Sequence, residues 1–400
     1  MSRVRPVLAA LLLVVASAAV TLAAGGAVTA PVEPADDPVV GVSENTTRVL
    51  LLTDAQAAGF QSPNASVTDS LDAGYDDFEA SFRLERVEQR LDSAGNQAAK
   101  RAILDNATSW AAERVASLRE REQNARAAFA AGDISARAYV TQIGVIHAEA
   151  ESLRDYLGRP TSEGTLYAYA IVDDSIRTRI SHLRAQLATV QGPVRERVAA
   201  VVTGDRASLR LHVTVGNGVM LSTIDGQYVR ETYRPGNLDS EVTNTLPDAR
   251  AMIKDLYPWI WNTSGGPSST RVFRGYAFES SVDHAHGRLV VFGDSTTERI
   301  FVERQWKTLS QLPAEVQATA SANNTTMLVS QTYTGGPLQV RVENTTGAPV
   351  DATVTLADNE VGPTGADGEL WTLSPAGEYA VTASYDNVTL EVNVTATPAP

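Results

Sequence analysis

The chain has no cysteine, only three lysines among 400 residues, five histidines and an aromatic content of 6%. The first absence rules out disulfides, the usual staple of exported domains, and a lipid-modified cysteine anchor. The second leaves arginine to carry nearly all positive charge, with lysine confined to Lys100, Lys254 and Lys307. Basic residues number 33 against 47 acidic ones, a formal net charge of -14. Nucleic-acid binding needs a basic face for phosphate contacts and is therefore not expected. Hydrophobic residues still reach 43%, enough for real cores, so global disorder is not expected and the length predicts two or three domains. Also missing is any complete set of acid, base, nucleophile or metal-ligating residues. Neither catalysis nor a cofactor is expected.

What is abundant is the tripeptide N-x-Ser/Thr. It occurs at Asn45, Asn64, Asn106, Asn262, Asn323, Asn324, Asn344, Asn387 and Asn393, never with proline in the middle. Chance would place about 2 of the chain's asparagines in such sites. The excess predicts a glycosylated mature chain that faces the outside of a cell. The N-terminus agrees. Arg3 and Arg5 precede an apolar run from Val7 to about Val28, with small residues near Ala27 and Ala30 and a break at Pro31, Pro34, Asp36 and Asp37. Residues 1–30 read as a secretory signal, or alternatively as an uncleaved membrane anchor, since the run is just long enough to span a bilayer. No second apolar segment near the C-terminus encodes another anchor. Acidic, lysine-poor, cysteine-free and exported together resemble a halophilic archaeal exoprotein. In strong brine the Debye length falls to about 3 Å or less, so carboxylates crowd a surface with little repulsion. An acidic bacterial surface protein from a GC-rich genome is the alternative.

Residues 31–65 read as a Pro/Asp linker with a short strand at Thr47 to Thr53. From 66 to 204 the period is helical. Leu71, Tyr75, Phe78 and Phe82 recur at 4-3-4 spacing, followed by Val87 and Leu91, and predict a first helix with an apolar core face. After Gly95 a long helix over about 96–131 carries Ile103, Ala107, Trp110, Val115, Leu118 and Phe129. Asp133 is expected to cap a third helix with Tyr139, Ile143, Ile146, Ala150, Leu153 and Leu157, stopped by Gly158 and Pro160. A fourth runs from Asp173 through Ile176, Ile180, Leu183, Leu187, Val190 and Val194, interrupted at Gly192-Pro193, where a last helix to Val202 begins. Such stripes predict a helical hairpin or coiled-coil bundle, with a partner-helix surface as the functional alternative.

Residues 205–312 read as a mixed α+β domain. Strands over Leu209–Val215 and Val219–Tyr233 precede a helix from Thr245 to Trp261. Three strands follow at Arg271–Val282, Arg288–Phe292 and Arg299–Gln305. Helix followed by strands weakly resembles the small PepSY-type domain, which implies a secreted module associated with protease inhibition. Val290-Val291-Phe292-Gly293-Asp294-Ser295-Thr296-Thr297 looks like the nucleophile block of SGNH/GDSL hydrolases, and Asp283-x-x-His286 matches the spacing of that family's Asp/His pair. The order is reversed, however, and no histidine follows Ser295, which leaves that serine without a base. His284 and His286 on alternate strand positions could share a metal, but no third ligand is evident.

Residues 324–397 alternate with period two and predict an antiparallel β-sandwich. Gly347 to Val354, Thr364-Gly365-Ala366-Asp367-Gly368 and Ser374-Pro375-Ala376-Gly377-Glu378-Tyr379 are similar to carboxypeptidase regulatory-like (transthyretin-like) domains. That resemblance implies a non-catalytic spacer or binding unit. Asp358, Glu360 and Asp367 are a calcium candidate or a solvated acidic loop. The whole layout resembles a haloarchaeal exported protein family of uncharacterised function, and that resemblance supplies no activity and no site residues. The expected fold is multidomain α+β. The expected role is a non-enzymatic, glycosylated cell-surface or secreted protein with protein partners or self-association through its helices. Regulation of an exported protease is one alternative, and an SGNH-like hydrolase the other.

Overall fold

Glycine and short polar side chains cut the N-terminal half of the chain into helices. The computed structural model describes Leu50, Leu52 and residues 57–63, 65, 67–170, 173–239, 248–333, 336–375 and 377–396. The segment read as a signal or anchor, most of the stretch read as a strand over Thr47–Thr53, Asn45 and Asn64 lie outside the described residues. The helices are α1 (Val67–Asp92), α2 (Gln97–Ala131), α3 (Ala136–Leu157), the single turn α4 (Leu166–Tyr169), α5 (Asp174–Leu187) and α6 (Pro193–Val202). Asn96 caps α2 by accepting from the Ala99 N–H at 2.9 Å, and Gly132 ends it in the left-handed region with φ 80°. Ser135, not Asp133, caps α3, accepting from Ala138 at 3.2 Å. Gly158 stops α3 as expected. A Cβ there would lie 2.0 Å from Thr165 Oγ1, so the chain passes too close for any side chain.

The fourth helix ends at Leu187, short of Val194. Ala188, Thr189 and Val190 donate to the carbonyls three residues back, which tightens and closes the helix. Pro193 then opens α6, and Val194 N–H donates at 2.9 Å to Glu231 Oε2, a carboxylate from the sheet. This caps the helix from outside its own sequence, where its dipole favours negative charge. A Cβ at Gly192 would sit 2.1 Å from that oxygen, so the approach requires glycine.

The sheet has eight antiparallel strands in the order β1-β2-β3-β4-β8-β7-β6-β5. They are β1 (Ala57–Gln61), β2 (Leu211–Val215), β3 (Val219–Ile224), β4 (Tyr228–Tyr233), β5 (Ser269–Phe273), β6 (Ala277–His284), β7 (Gly287–Asp294) and β8 (Ile300–Lys307). The strand expected over Arg271–Val282 is two strands, β5 and β6, turned at Arg274 and Gly275 with φ of 46° and 77°. The helix expected over Thr245–Trp261 is likewise two, α7 (Ala249–Leu256) and α8 (Pro258–Ser264). Pro258 has no N–H and biases Tyr257 away from helical geometry, so the helix breaks there. Leu50 and Leu52 are buried outside any strand, and the sheet edge is supplied instead by Ala57–Gln61.

One face of the sheet packs on the helices. Phe129, Tyr139, Ile143, Val194, Val198, Leu211, Val229 and Phe301 form a single core with no break between the helical region and the strands. Each large aliphatic side chain fully buried there contributes about 1.5–3 kcal/mol. A second core lies among the helices alone, around Leu104, Val115, Leu118, Leu153, Ile176 and Ile180. On the other sheet face, Ile253, Tyr257 and Ile260 pack on Phe278, Leu289 and Val291. There Arg230 donates to the Leu50 carbonyl at 2.9 Å, while Glu303 accepts from Leu50 N–H and from Tyr257 Oη at 2.8 Å.

The C-terminal strands are β9 (Glu315–Ala322), β10 (Thr325–Gln331), β11 (Pro337–Asn344), β12 (Thr353–Leu356), β13 (Asn359–Pro363), β14 (Glu369–Leu373), β15 (Gly377–Tyr385) and β16 (Val388–Ala396). They form two four-stranded sheets, β14-β11-β10-β9 and β13-β12-β15-β16. Met327, Val329, Val340, Val354, Val381 and Val394 fill the space between them. Strand β9 precedes the expected start at 324. Its sequence, EVQATASA, is mostly exposed, and its alternation rests on Val316 and three small alanines, of which Ala318 and Ala320 pack on the sandwich core. The fold is thus multidomain α+β, with helices first and antiparallel sheets after them.

Candidate functional site

The hydrolase-like residues do not assemble. Ser295 follows the end of β7, whereas Asp283, His284 and His286 cluster at the opposite end of the β6–β7 hairpin. Eight residues of strand separate the two groups by roughly 25 Å. Ser295 is buried, and its Oγ makes no hydrogen bond among the described residues. Its neighbour Asp294 is committed to the turn, accepting from the Thr296 and Thr297 N–H groups at 2.8 and 2.6 Å. Asp283 pairs with Arg288 across the hairpin at 2.8 Å. Burial, then Lys307 and His286, push the His284 pKa down to about 3, so the imidazole is neutral. No group of three His, Cys, Asp or Glu side chains is placed to hold a metal among the described residues.

The sequons differ in what the fold leaves open. Asn262, Asn323, Asn324, Asn387 and Asn393 are exposed. Asn323 and Asn324 form the two-residue turn between β9 and β10 with φ of 46° and 67°, the backbone of a tight hairpin. Asn387 is in the β15–β16 turn and Asn393 within β16, so they are not on one unbroken strand face. Asn344 is half-buried, and its Oδ1 accepts from the Thr346 N–H, the Thr346 hydroxyl and the Ala348 N–H. Asn106 is exposed in the middle of α2, but Thr108 of its sequon is buried and donates to the Leu104 carbonyl at 2.7 Å.

The first helix corrects the sequence reading most sharply. Leu71, Tyr75, Phe78 and Phe82 are not core: they are 69, 66, 66 and 48% exposed. The inward face of α1 carries Ala80, Leu84, Val87 and Leu91. At 3.6 residues per turn the two sets point in roughly opposite directions. The N-terminal half of α1 is held by charge instead. Asp76 bonds Arg114 of α2 at 3.1 Å, and Arg114 in turn pairs with the buried Glu149 of α3. Burial, and then Glu149, raise the Asp76 pKa against the pull of Arg114. The outward stripe presents on the order of 500 Å² of mostly apolar surface, within the range of the largest patch on a typical monomer.

A second buried ionic group joins helices to sheet. Arg195 of α6 donates to Glu122 of α2 at 2.6 Å and to the Thr189 carbonyl at 3.3 Å, and lies 3.6 Å from Glu231 of β4. Burial opposes the charge on Arg195, but Glu122 and Glu231 outweigh it and its pKa rises. Burial raises the Glu122 pKa despite Arg195. Nearby His147 is pushed down to about 3 by burial and then by Arg195, Arg304 and Arg154.

Between the end of α3, α5 and strands β5 to β8 opens a cleft of about 610 Å³. Five arginines line it, Arg154, Arg159, Arg184, Arg271 and Arg304, against three carboxylates, Asp155, Glu163 and Glu279. Arg304 lies over the Phe292 ring at 4.8 Å and donates to the carbonyls of Ala188 and Gln191 at 3.1 and 2.7 Å. Arg184 donates to the Gly158 carbonyl. Burial, and then Arg271 and Arg154, lower the Arg184 pKa to about 10. Burial lowers that of Arg304. None of these arginines stood out in the sequence, because they come from four separate stretches and share no motif.

Three family models match the chain. Residues 1–207 match the Domain of unknown function (DUF7096), residues 211–313 the Family of unknown function (DUF7094), and residues 316–394 the Archaeal fibronectin-III type-like domain. The segment likened to PepSY domains lies within the second match. The segment likened to carboxypeptidase regulatory-like domains lies within the third, whose two-layered sheets agree with a fibronectin-III type. No curated protein and no solved structure matches the chain.

Proposed function

This chain belongs to the family described as Domain of unknown function (DUF7096), and we propose that it is a non-enzymatic, glycosylated protein of the cell surface or surrounding medium that associates with a second copy of itself. The exposed stripe on α1 carries this reading. Its 4-3-4 spacing is palindromic, so in an antiparallel pair Leu71 meets Phe82 of the second copy and Tyr75 meets Phe78. Small residues flank the seam at Gly74 and Ser81, and a Cβ built on Gly74 would touch nothing within 4 Å. Charge favours the same direction. Asp69, Asp72, Asp76, Asp77 and Glu79 crowd the first half of α1, while the second balances Arg83, Arg86 and Arg90 against Glu85, Glu88 and Asp92. Antiparallel packing sets the acidic half against the half that carries arginine, where a parallel pair would stack acid on acid.

The sandwich then serves as a spacer that bears glycans on Asn323, Asn324, Asn387 and Asn393, and Asn262 bears one on α8. Net charge -14 and the archaeal fibronectin-III match support an archaeal protein working in brine. Sedimentation of the full chain in concentrated KCl tests the association. A concentration-dependent dimer is expected, and a monomer at every concentration sinks the proposal. Intact mass of the native protein tests the glycans, with the mass of the unmodified chain as the contrary result.

A further inference from the structure

We propose that the arginine cleft binds a small ligand carrying at least two oxyanion groups, carboxylate or phosphate. Five guanidinium groups converge there in a chain whose net charge is -14. Gathering like charges opposes folding, and burying two of them adds to that cost. An arrangement of this kind persists where something of opposite charge compensates it. The protein supplies only part of the compensation. Glu279 pairs with Arg271 at 3.2 Å, and Glu151 and Asp155 pair with Arg154. Arg184 and Arg304 form no ion pair among the described residues, and the buried Nε–H of each makes no hydrogen bond among them.

These two side chains are nevertheless fixed. Backbone carbonyls of Gly158, Ala188 and Gln191 hold their Nη groups, and the Phe292 ring supports Arg304 from beneath. Oriented guanidinium forks with donors to spare are the usual receptors for carboxylate and phosphate, which they grip bidentately. The arginines form two tiers: Arg184 and Arg304 are half-buried, whereas Arg154, Arg159 and Arg271 are exposed. One oxyanion group for each tier makes the ligand a polyanion. A volume of about 610 Å³ fits a small molecule, since such sites commonly span about 300–1,000 Å³. Phe273 and Phe292 give it an apolar wall.

Isothermal titration of the full chain with citrate, and separately with pyrophosphate, tests the site at a fixed chloride concentration. Saturable one-site binding of at least one anion is expected, and the two arms report whether carboxylate or phosphate is preferred. R184K keeps the charge but loses the fork and is expected to weaken binding at least tenfold. Because Arg184 also holds the Gly158 carbonyl, two variants on exposed or half-exposed positions guard against a folding defect. R271Q is expected to weaken binding several-fold, and E279Q, which frees Arg271, to tighten it. No heat with either anion overturns the proposal, as does binding that is equal in all variants or that chloride abolishes as a simple competitor.

Discussion

Helices α1 and α3 carry apolar stripes of the same period and meet opposite fates. On α3, Tyr139, Ile143, Ile146, Ala150, Leu153 and Leu157 are all buried. On the first half of α1, Leu71, Tyr75, Phe78 and Phe82 all face out. Period establishes that a helix has an apolar face, but what covers the face depends on the other side of the helix. In α1 that other side offers Ala80, Leu84, Val87 and Leu91 to the bundle and Asp76 to Arg114. The ion pair outcompetes the aromatic stripe for the inward position because Glu149 and Arg114 already lie buried or half-buried at the contact, and both need partners.

The contrast can be broken most forcefully where the covered side meets charge. Arg195→Met leaves Glu122 and Glu231 buried without their cation and is expected to cost about 3–5 kcal/mol, read as a shift in the urea midpoint. Leu153→Ala on α3 should cost about 3 kcal/mol by cavity formation in the same assay. A loss below about 1 kcal/mol would mean that α3 is not packed as described. Acid comes next. The His147 pKa lies near 3 when folded against an ordinary 6.5. The unfolded chain therefore binds the proton first, and stability that is full above pH 6.5 falls as pH drops toward 3. From pH 7 to 5 this single side chain should remove on the order of 2 kcal/mol, a slope that His147→Met flattens in denaturant titrations at each pH. The smallest effect on stability belongs to α1. Phe78→Ser should change the folding free energy by no more than about 0.5 kcal/mol while abolishing the dimer in sedimentation. Equal damage from Phe78→Ser and Leu153→Ala would erase the distinction between the two stripes.

Much of the architecture could be read from local signals. The second helix, the Gly158 stop, the Pro193 start and most strands of the sandwich follow from caps, breakers and period. Features that depend on distant residues could not. Glu231 caps α6 from the sheet, and no nearby residue announces it. Strand β9 alternates polar residues with Val316 and three alanines, a period-two pattern too weakly apolar to stand out. The break at Pro258 was visible in the sequence, and proline chemistry alone should have split that helix. Of the two proposed surfaces, the stripe was legible as residues but not as a surface, and the cleft was not legible at all. Its arginines span Arg154 to Arg304, and Arg304 of β8 reaches the others' side of the cleft through the α5–α6 connection at Ala188 and Gln191.

The contact of Gly192 and Val194 with Glu231 also bears on how such a chain can be inherited. Two family models meet near residue 210, yet a hydrophobic core and a buried carboxylate run across that boundary, and β1 from the first region completes the sheet of the second. A recombination event there would leave each half with an open core and a helix end without its cap. The sandwich follows through the short connection over 308–314 and touches residues 57–307 through Lys307, which lies over the Tyr333 ring at 4.0 Å, and Arg210, which donates to the Glu360 carbonyl at 3.3 Å.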